Sequence, residues 1–208
     1  MALVKYNNNS ISAITAASSL PTGAMTLIKT LTASGDGDLS FVDGADDVVL
    51  DSTYPIYVFK FYDIHPGTSA VFWTFQANAA GGSGYNETIT STTFRAVHTE
   101  AGSGQMDYIA SIDQAEGTAF QNIISDGDIK TDNDSSLAGT LHLFNPSSTT
   151  FVKHFIATTN HMVNNSQSSN NYIGGYFNTT SAIDEIQFKF DSGDIDAGTV
   201  KLYGIKDS

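Results

Sequence analysis

Residues 182–208 read AIDEIQFKFDSGDIDAGTVKLYGIKDS, and the period of the apolar residues in this stretch decides the fold class. In EIQFKF, Ile186, Phe188 and Phe190 share one face while Glu185, Gln187 and Lys189 share the other, the alternation of a half-buried strand. In TVKLYGI, Val200 and Leu202 fall on one face, with Thr199, Lys201 and Tyr203 on the other. The intervening DSGDIDAG is too short for a parallel crossover, so the two segments are expected to pair as an antiparallel hairpin. A last strand pinned by neighbours resists fraying. In sandwiches one such neighbour comes from near the start, here MTLIKTLTA (25–33) or VVLD (48–51).

The same alternation recurs in LSFV (39–42), DVVLD (47–51), PIYVFKFYDI (55–64), AVFWTFQAN (70–78) and TTFRAVHT (92–99). It returns in GTLHLFN (139–145), TFVKHFIATTN (150–160) and GGYFN (174–178), giving about eleven short strands in all. Clusters such as ASGDGD, VDGADD, HPGTS, AAGGSG and NPSST separate them, combining φ > 0 glycines with side chains that close Asx-turns. Helical expectation is confined to SISAITAASSL (10–20), stopped by Pro21, and DQAEGTAFQNII (113–124), weakened by Gly117. The Asn/Ser-rich NNSQSSNN (164–171) reads as an exposed loop. No repeat of solenoid or propeller length is present. The pattern predicts one antiparallel all-β sandwich of the jelly-roll or lectin-like class over 25–208, preceded by an N-terminal arm over 1–24.

Composition narrows the function. The 208 residues carry 22 acidic and 9 basic side chains, a net charge of −13, which repels phosphate backbones and anionic lipid and argues against nucleic-acid and membrane partners. With 15% charged residues, solubility rests on Ser, Thr, Asn, Gly and Asp, a surface suited to dense assemblies. The absence of cysteine excludes disulfides, thiolate metal sites and cysteine nucleophiles. The opening MALVKYNNNSISAITAASSL has no long apolar core, so no signal peptide is expected, and no stretch has the apolar length of a membrane-spanning helix.

Residue types that carry chemistry are sparse. His154 and His161 are not at a two-ligand spacing for one rigid element, and the five histidines read as exposed or hydrogen-bonded strand residues. A glycosidase needs two carboxylates about 5 to 10 Å apart; the glutamates are only Glu87, Glu100, Glu116 and Glu185, and most aspartates sit in turn clusters that explain them without catalysis. The loops DGDIKTDND (126–134) and DSGDID (191–196) gather oxygen ligands without matching a calcium-loop spacing. Ordinary turns compete with an ion there, and Asp126, Asp128, Asp132 and Asp134 are the positions an ion would take. No cofactor is implied. Tyr172, beside the Asn-rich loop, is one candidate glycan contact. Trp73 is the other, its phase opposite Phe72 in VFWTF leaving core and sugar platform both open. In the arm, Leu3, Val4, Ile11 and Ile14 are candidates for burial on a neighbouring subunit or across their own domain.

The segments MALVKYNNNSISAITAA, GAMTLIKTLTAS, LSFVDG, VVLDSTYPIYVFKFYDIHP, GYNETITSTTFRA, LFNPSSTTFVKHF, GGYFNTTSAIDEIQFKFDSG and GTVKLYGIK together are similar to a group of structural proteins encoded by marine bacteriophages, especially those of cyanobacteria and related ocean bacteria. The terminal GTVKLYGI also resembles the end of many phage tail-fibre and virion surface domains. The resemblance implies a non-enzymatic virion structural protein, assembled in the host cytoplasm. Its role would be in the tail or fibre, in contact with host surface glycan, or as a capsid decoration or head-fibre protein; a glycan-cleaving enzyme is a third reading. Expected partners are other virion proteins and further copies of the chain, with a trimer favoured for avidity.

Overall fold

A computed structural model of the chain describes residues 24–125, 127, 129–163 and 166–206. The described residues form β1 (Met25–Ala33), β2 (Leu39–Val42), β3 (Ile56–Pro66), β4 (Trp73–Ala79), β5 (Ile89–Thr99) and β6 (Gly104–Tyr108). After a short 3₁₀ turn at Ala110–Ile112 follow β7 (Gln121–Asn122), β8 (Leu137–Phe144), β9 (Lys153–Val163), β10 (Gln167–Phe177), β11 (Ile183–Phe190) and β12 (Ile195–Ile205). They make an eight-stranded sheet in the order β1-β12-β3-β8-β9-β10-β5-β6 and a four-stranded sheet in the order β2-β11-β4-β7. All named pairings are antiparallel. The chain is an all-β sandwich, as its alternation predicts.

Phe188 is the hub between the sheets. Its ring lies 5.1 Å from Phe59 and 5.2 Å from Phe61 on β3, and 6.1 Å from Trp73 and 6.2 Å from Phe75 on β4. Edge-on and offset contacts of this kind add about 0.5–1.5 kcal/mol each beyond their area burial, so this cluster fixes how the layers sit. Ile186, Phe188, Phe190, Val200 and Leu202 are all buried, as the period-two reading requires.

The terminal hairpin is not formed. β11 pairs with β2 and β4 in the small sheet, whereas β12 lies between β1 and β3 in the large one. A short connection joins strands across a sandwich as readily as along one sheet, and alternation alone does not tell the two apart. The link is tied at the rim: Phe72 N–H donates to Asp191 Oδ1 at 2.8 Å, and Gly67 N–H donates to the Asp194 carbonyl at 2.9 Å. β12 does meet β1, one of its two expected neighbours, with Leu31 opposite Val200. Gly198 on β12 has φ +129°, and a Cβ there would lie 2.8 Å from Ile64 Cα, so only glycine fits this bulge against β3.

Other expectations need correction. DVVLD is not a strand: Asp46 and Asp47 have φ of 50° and 65°, which breaks extension, although Val48 and Leu50 still pack into the core. The expected helix at 113–124 is absent; its end is β7, paired with β4 through Asn122 opposite Thr74. NNSQSSNN is not a loop throughout, because β10 begins at Gln167 and buries Ser169 and Asn171. The helix expected at 10–20 lies outside the described residues.

Candidate binding surface

The inner faces of both sheets are filled and the outer side of β4 is covered by chain, with Gln76 Nε2 donating to the Glu87, Thr118 and Ala119 carbonyls, so among the described residues the outer face of the eight-stranded sheet is the broad surface left open. Its alternation follows from the buried partners: on β5, Ile89, Thr93 and Val97 point in, while Thr92, Phe94 and His98 are exposed. Register then aligns outward residues into rows across the strands. One row runs Thr30, Lys201, Lys60, Thr140, Thr158, Tyr172, Phe94, Tyr108, each directly opposite the next through all eight strands. Beside it runs Leu27, Tyr203, Val58, His142, Ile156, Gly174, Thr92. A third, shorter row is Ala138, Asn160, Asn170, Ala96, Met106. None of these residues is Asp or Glu, in a chain with 22 of them.

One end of the central row is aromatic. Tyr172, 38% exposed, stacks on Phe94, 45% exposed, with ring centroids 4.8 Å apart and planes 10° from parallel. Tyr108 follows on the edge strand, its hydroxyl donating to Asp113 Oδ2, a bond that raises the phenol above its ordinary range. At the other end Lys60 and Lys201 face each other across a pair of strands, an arrangement that costs stability. Each ammonium is drawn onto a tyrosine: Lys60 Nζ lies 5.1 Å from the Tyr203 ring centroid and Lys201 Nζ 5.2 Å from that of Tyr62. Neither forms an ion pair among the described residues. Burial, helped by the nearby Lys60 charge, holds the His142 imidazole below its ordinary range, keeping it neutral beside the lysines at neutral pH.

Two adjacent glycines on β10 separate packing from openness. A Cβ at inward-facing Gly175 would lie 2.6 Å from Phe155 Cζ, so the core excludes any side chain there. At outward-facing Gly174, beside Tyr172 in the rows, a Cβ would meet nothing within 4 Å.

The predicted site residues scatter differently. Tyr172 is where a ligand can reach it. Trp73 is not: it is fully buried, stacked 14° from parallel on Phe188 and 5.0 Å from Phe190, so it belongs to the core and touches no glycan. Its indole N–H has no hydrogen-bond partner among the described residues. Asp132 and Asp134 are exposed turn residues, and the Asp132 carbonyl accepts from Ser135 N–H at 2.9 Å. It also lies 3.2 Å from His65 Nε2. Asp126, Asp128, Leu3, Val4, Ile11 and Ile14 lie outside the described residues, among which no group of three metal-ligating side chains occurs. Of the glutamates, Glu87 Oε1 accepts from Ala79 N–H at 3.0 Å and Glu185 Oε1 from Asn78 Nδ2 at 3.3 Å, both holding backbone or side chains in place. His161 is buried, with Nδ1 3.3 Å from Asn171 Nδ2, and His154 is exposed with its ring centroid 5.8 Å from that of Tyr176.

Sequence reading missed Phe94, Tyr108, Lys60 and Lys201 as a set. Phe94, Lys60 and Lys201 stood in predicted strands and Tyr108 did not, but their alignment into one row needs the register of non-consecutive strands. Comparison with protein-family models, curated proteins and solved structures finds no match to this chain.

Proposed function

We infer that this chain is a non-enzymatic module on the surface of a bacteriophage virion, associated with the tail or its fibres, and that it works through the outer face of its large sheet. The observation that carries the binding role is that face: open, rich in aromatic, hydroxyl and amide groups, and without a carboxylate in its rows, on a chain of net charge −13. Exposed apolar patches rimmed by polar residues mark interaction sites, and here Phe94, Tyr108, Met106, Ile156 and Tyr172 are all exposed on this face. Virion membership rests on the likeness of the quoted segments to marine phage structural proteins.

The strand orders β1-β12-β3-β8 and β2-β11-β4-β7 support the finer reading of a jelly roll, with β5-β6 and β9-β10 as insertions that widen one sheet. Jelly rolls recur in viral capsid and lectin domains, although a fold alone does not assign a role. Antibody against the chain is expected to label tails of purified phage particles at a few to a few dozen copies, and purified protein to compete with adsorption to host cells. Hundreds of copies on the head would favour capsid decoration instead. Absence from purified particles by mass spectrometry would overturn virion membership, and release of reducing ends from host polysaccharide would overturn the non-enzymatic reading.

A further inference from the structure

We propose that the row from Lys201 to Tyr108 binds an extended, anionic oligosaccharide lying across the strands, with its acidic groups at the lysine end and a sugar ring at the aromatic end. The inference deepens the reading of this face as the working surface and does not depend on virion membership. Four observations carry it. First, two of the 9 basic residues stand directly opposite each other, unpaired with any carboxylate among the described residues, in a chain where acids outnumber bases by more than two to one. Like charges placed so are unfavourable for the fold, and an anion on that face relieves them. Second, each ammonium lies over a different tyrosine ring, so the lysine end offers two separately seated cations, which suits a chain with repeated acidic groups.

Third, the residues between the two ends are small and polar. Thr140 and Thr158 lie in the row, with Asn160 and Asn170 on one side of it supplying hydroxyl and amide partners, and His142 and the exposed Ile156 on the other. From Lys201 to Tyr108 the row takes six inter-strand steps of ~4.8 Å, a span of about 29 Å, which fits a linear ligand. Fourth, Gly174 leaves open floor next to Tyr172 and Thr158 that the packing of the sheet does not require. A strand residue with ordinary φ and free space at Cβ gains stability from a β-branched side chain, so glycine there runs against the fold's own interest.

A sugar suits the aromatic end because its ring C–H groups can meet the face of Tyr172 or Phe94 that their mutual stack leaves free, while its hydroxyls reach the flanking Thr and Asn side chains. The alternative occupants make different demands. The net repulsion of the whole chain acts on both polyanions, but it weighs more heavily on a nucleic-acid duplex, whose charge is denser than one acidic group per sugar. A second copy bound face to face would bring two surfaces without carboxylates together, leaving the lysines without a complementary charge.

The test uses the whole chain and isothermal titration with oligomannuronate, a maltodextrin of equal length and oligothymidylate, with sedimentation to follow self-association. Oligomannuronate is expected to bind, to weaken as salt rises, and to exceed maltodextrin by about tenfold or more. Lys60→Gln with Lys201→Gln is expected to remove that preference, and Phe94→Ala with Tyr172→Ala to weaken both glycans about tenfold. Gly174→Val is the sharpest variant: its melting temperature is expected to hold or rise while oligomannuronate binding falls at least about tenfold. Equal binding of maltodextrin, preferential binding of oligothymidylate, or no binding of oligomannuronate by the folded chain, whether monomer or a dimer that Phe94→Ala disrupts, would each overturn the proposal. So would unchanged oligomannuronate binding by a folded Gly174→Val. None of these results bears on whether the chain is found in phage particles, which is read from the particles themselves.

Discussion

The inner face of the large sheet is covered in two different ways. Where β12, β3 and β8 lie opposite the small sheet, the inward residues are apolar: Leu202, Phe59, Phe61, Leu141 and Leu143. Toward β5, and at the end of β9 and β10 near their connection, the inward residues are Thr93, Arg95, Thr159, His161, Ser169 and Asn171, and what lies against them is irregular chain between β6 and β8. The hydrogen bonds explain the switch. Asn171 Oδ1 accepts from Ser125 N–H at 3.0 Å, Thr159 Oγ1 donates to the Ile123 carbonyl, and Ser91 Oγ accepts from Gln114 N–H at 2.9 Å. A sheet satisfies its own backbone and asks its partner only for apolar contact. A loop arrives with unpaired N–H and C=O groups, and the sheet beneath it must supply side chains that pair with them.

That contrast can be broken in order of expected effect. Deleting residues 199–208 removes most of β12 from between β1 and β3 and is expected to abolish soluble folding; a truncated chain with an unchanged cooperative melt would show that the large sheet survives without its second strand. Phe188→Ala empties the centre of the aromatic cluster and is expected to cost about 3–5 kcal/mol in urea unfolding, spread over both sheets. Asn171→Ala should cost less, about 1–3 kcal/mol, and act locally: hydrogen exchange at the Ser125 amide should accelerate while amides of β3 and β12 stay protected. Equal acceleration in both regions would mean that the polar side and the aromatic side are one cooperative unit.

The smallest effect concerns pH. Lys153 is fully buried on β9, its ammonium donating to the Phe151 carbonyl at 3.0 Å and the Thr179 carbonyl at 3.3 Å, and burial holds it below the ordinary lysine range against the opposing pull of Glu87. The unfolded chain therefore binds the proton more tightly. The cost of burying the charge is present at neutral pH and disappears as pH rises from the lowered folded value toward the ordinary one. Denaturant unfolding should thus show wild type gaining on Lys153→Met between neutral pH and about 10.5. A difference that stays constant with pH would show that the buried group loses no proton affinity on folding.

Much of the fold was legible in the chain. MTLIKTLTA and LSFV coincide with β1 and β2, because apolar residues at near-alternate positions bounded by Gly/Asp turns leave little freedom, although β1 carries an irregularity between Leu27 and Lys29 that the alternation does not show. DVVLD shows the limit: its composition is strand-like, but Asp46 just before it and Asp47 at its start both have φ > 0 and bend the backbone, while Val48 and Leu50 still find the core. NNSQSSNN shows the opposite error. Polar residues looked solvent-bound, yet Asn171 is buried because the segment lying over it supplies backbone partners that composition does not reveal.

By itself the sequence determined that this is an acidic, cysteine-free sandwich whose strands each have an inside and an outside, because period-two burial is a local property written residue by residue. Tertiary structure alone decided that the last two strands lie in different sheets, that Trp73 is core and Tyr172 surface, and that Lys201, Lys60, Tyr172, Phe94 and Tyr108 share one row. Those facts depend on which strands become neighbours, and neighbours far apart in the chain are chosen by the energy of the whole packing.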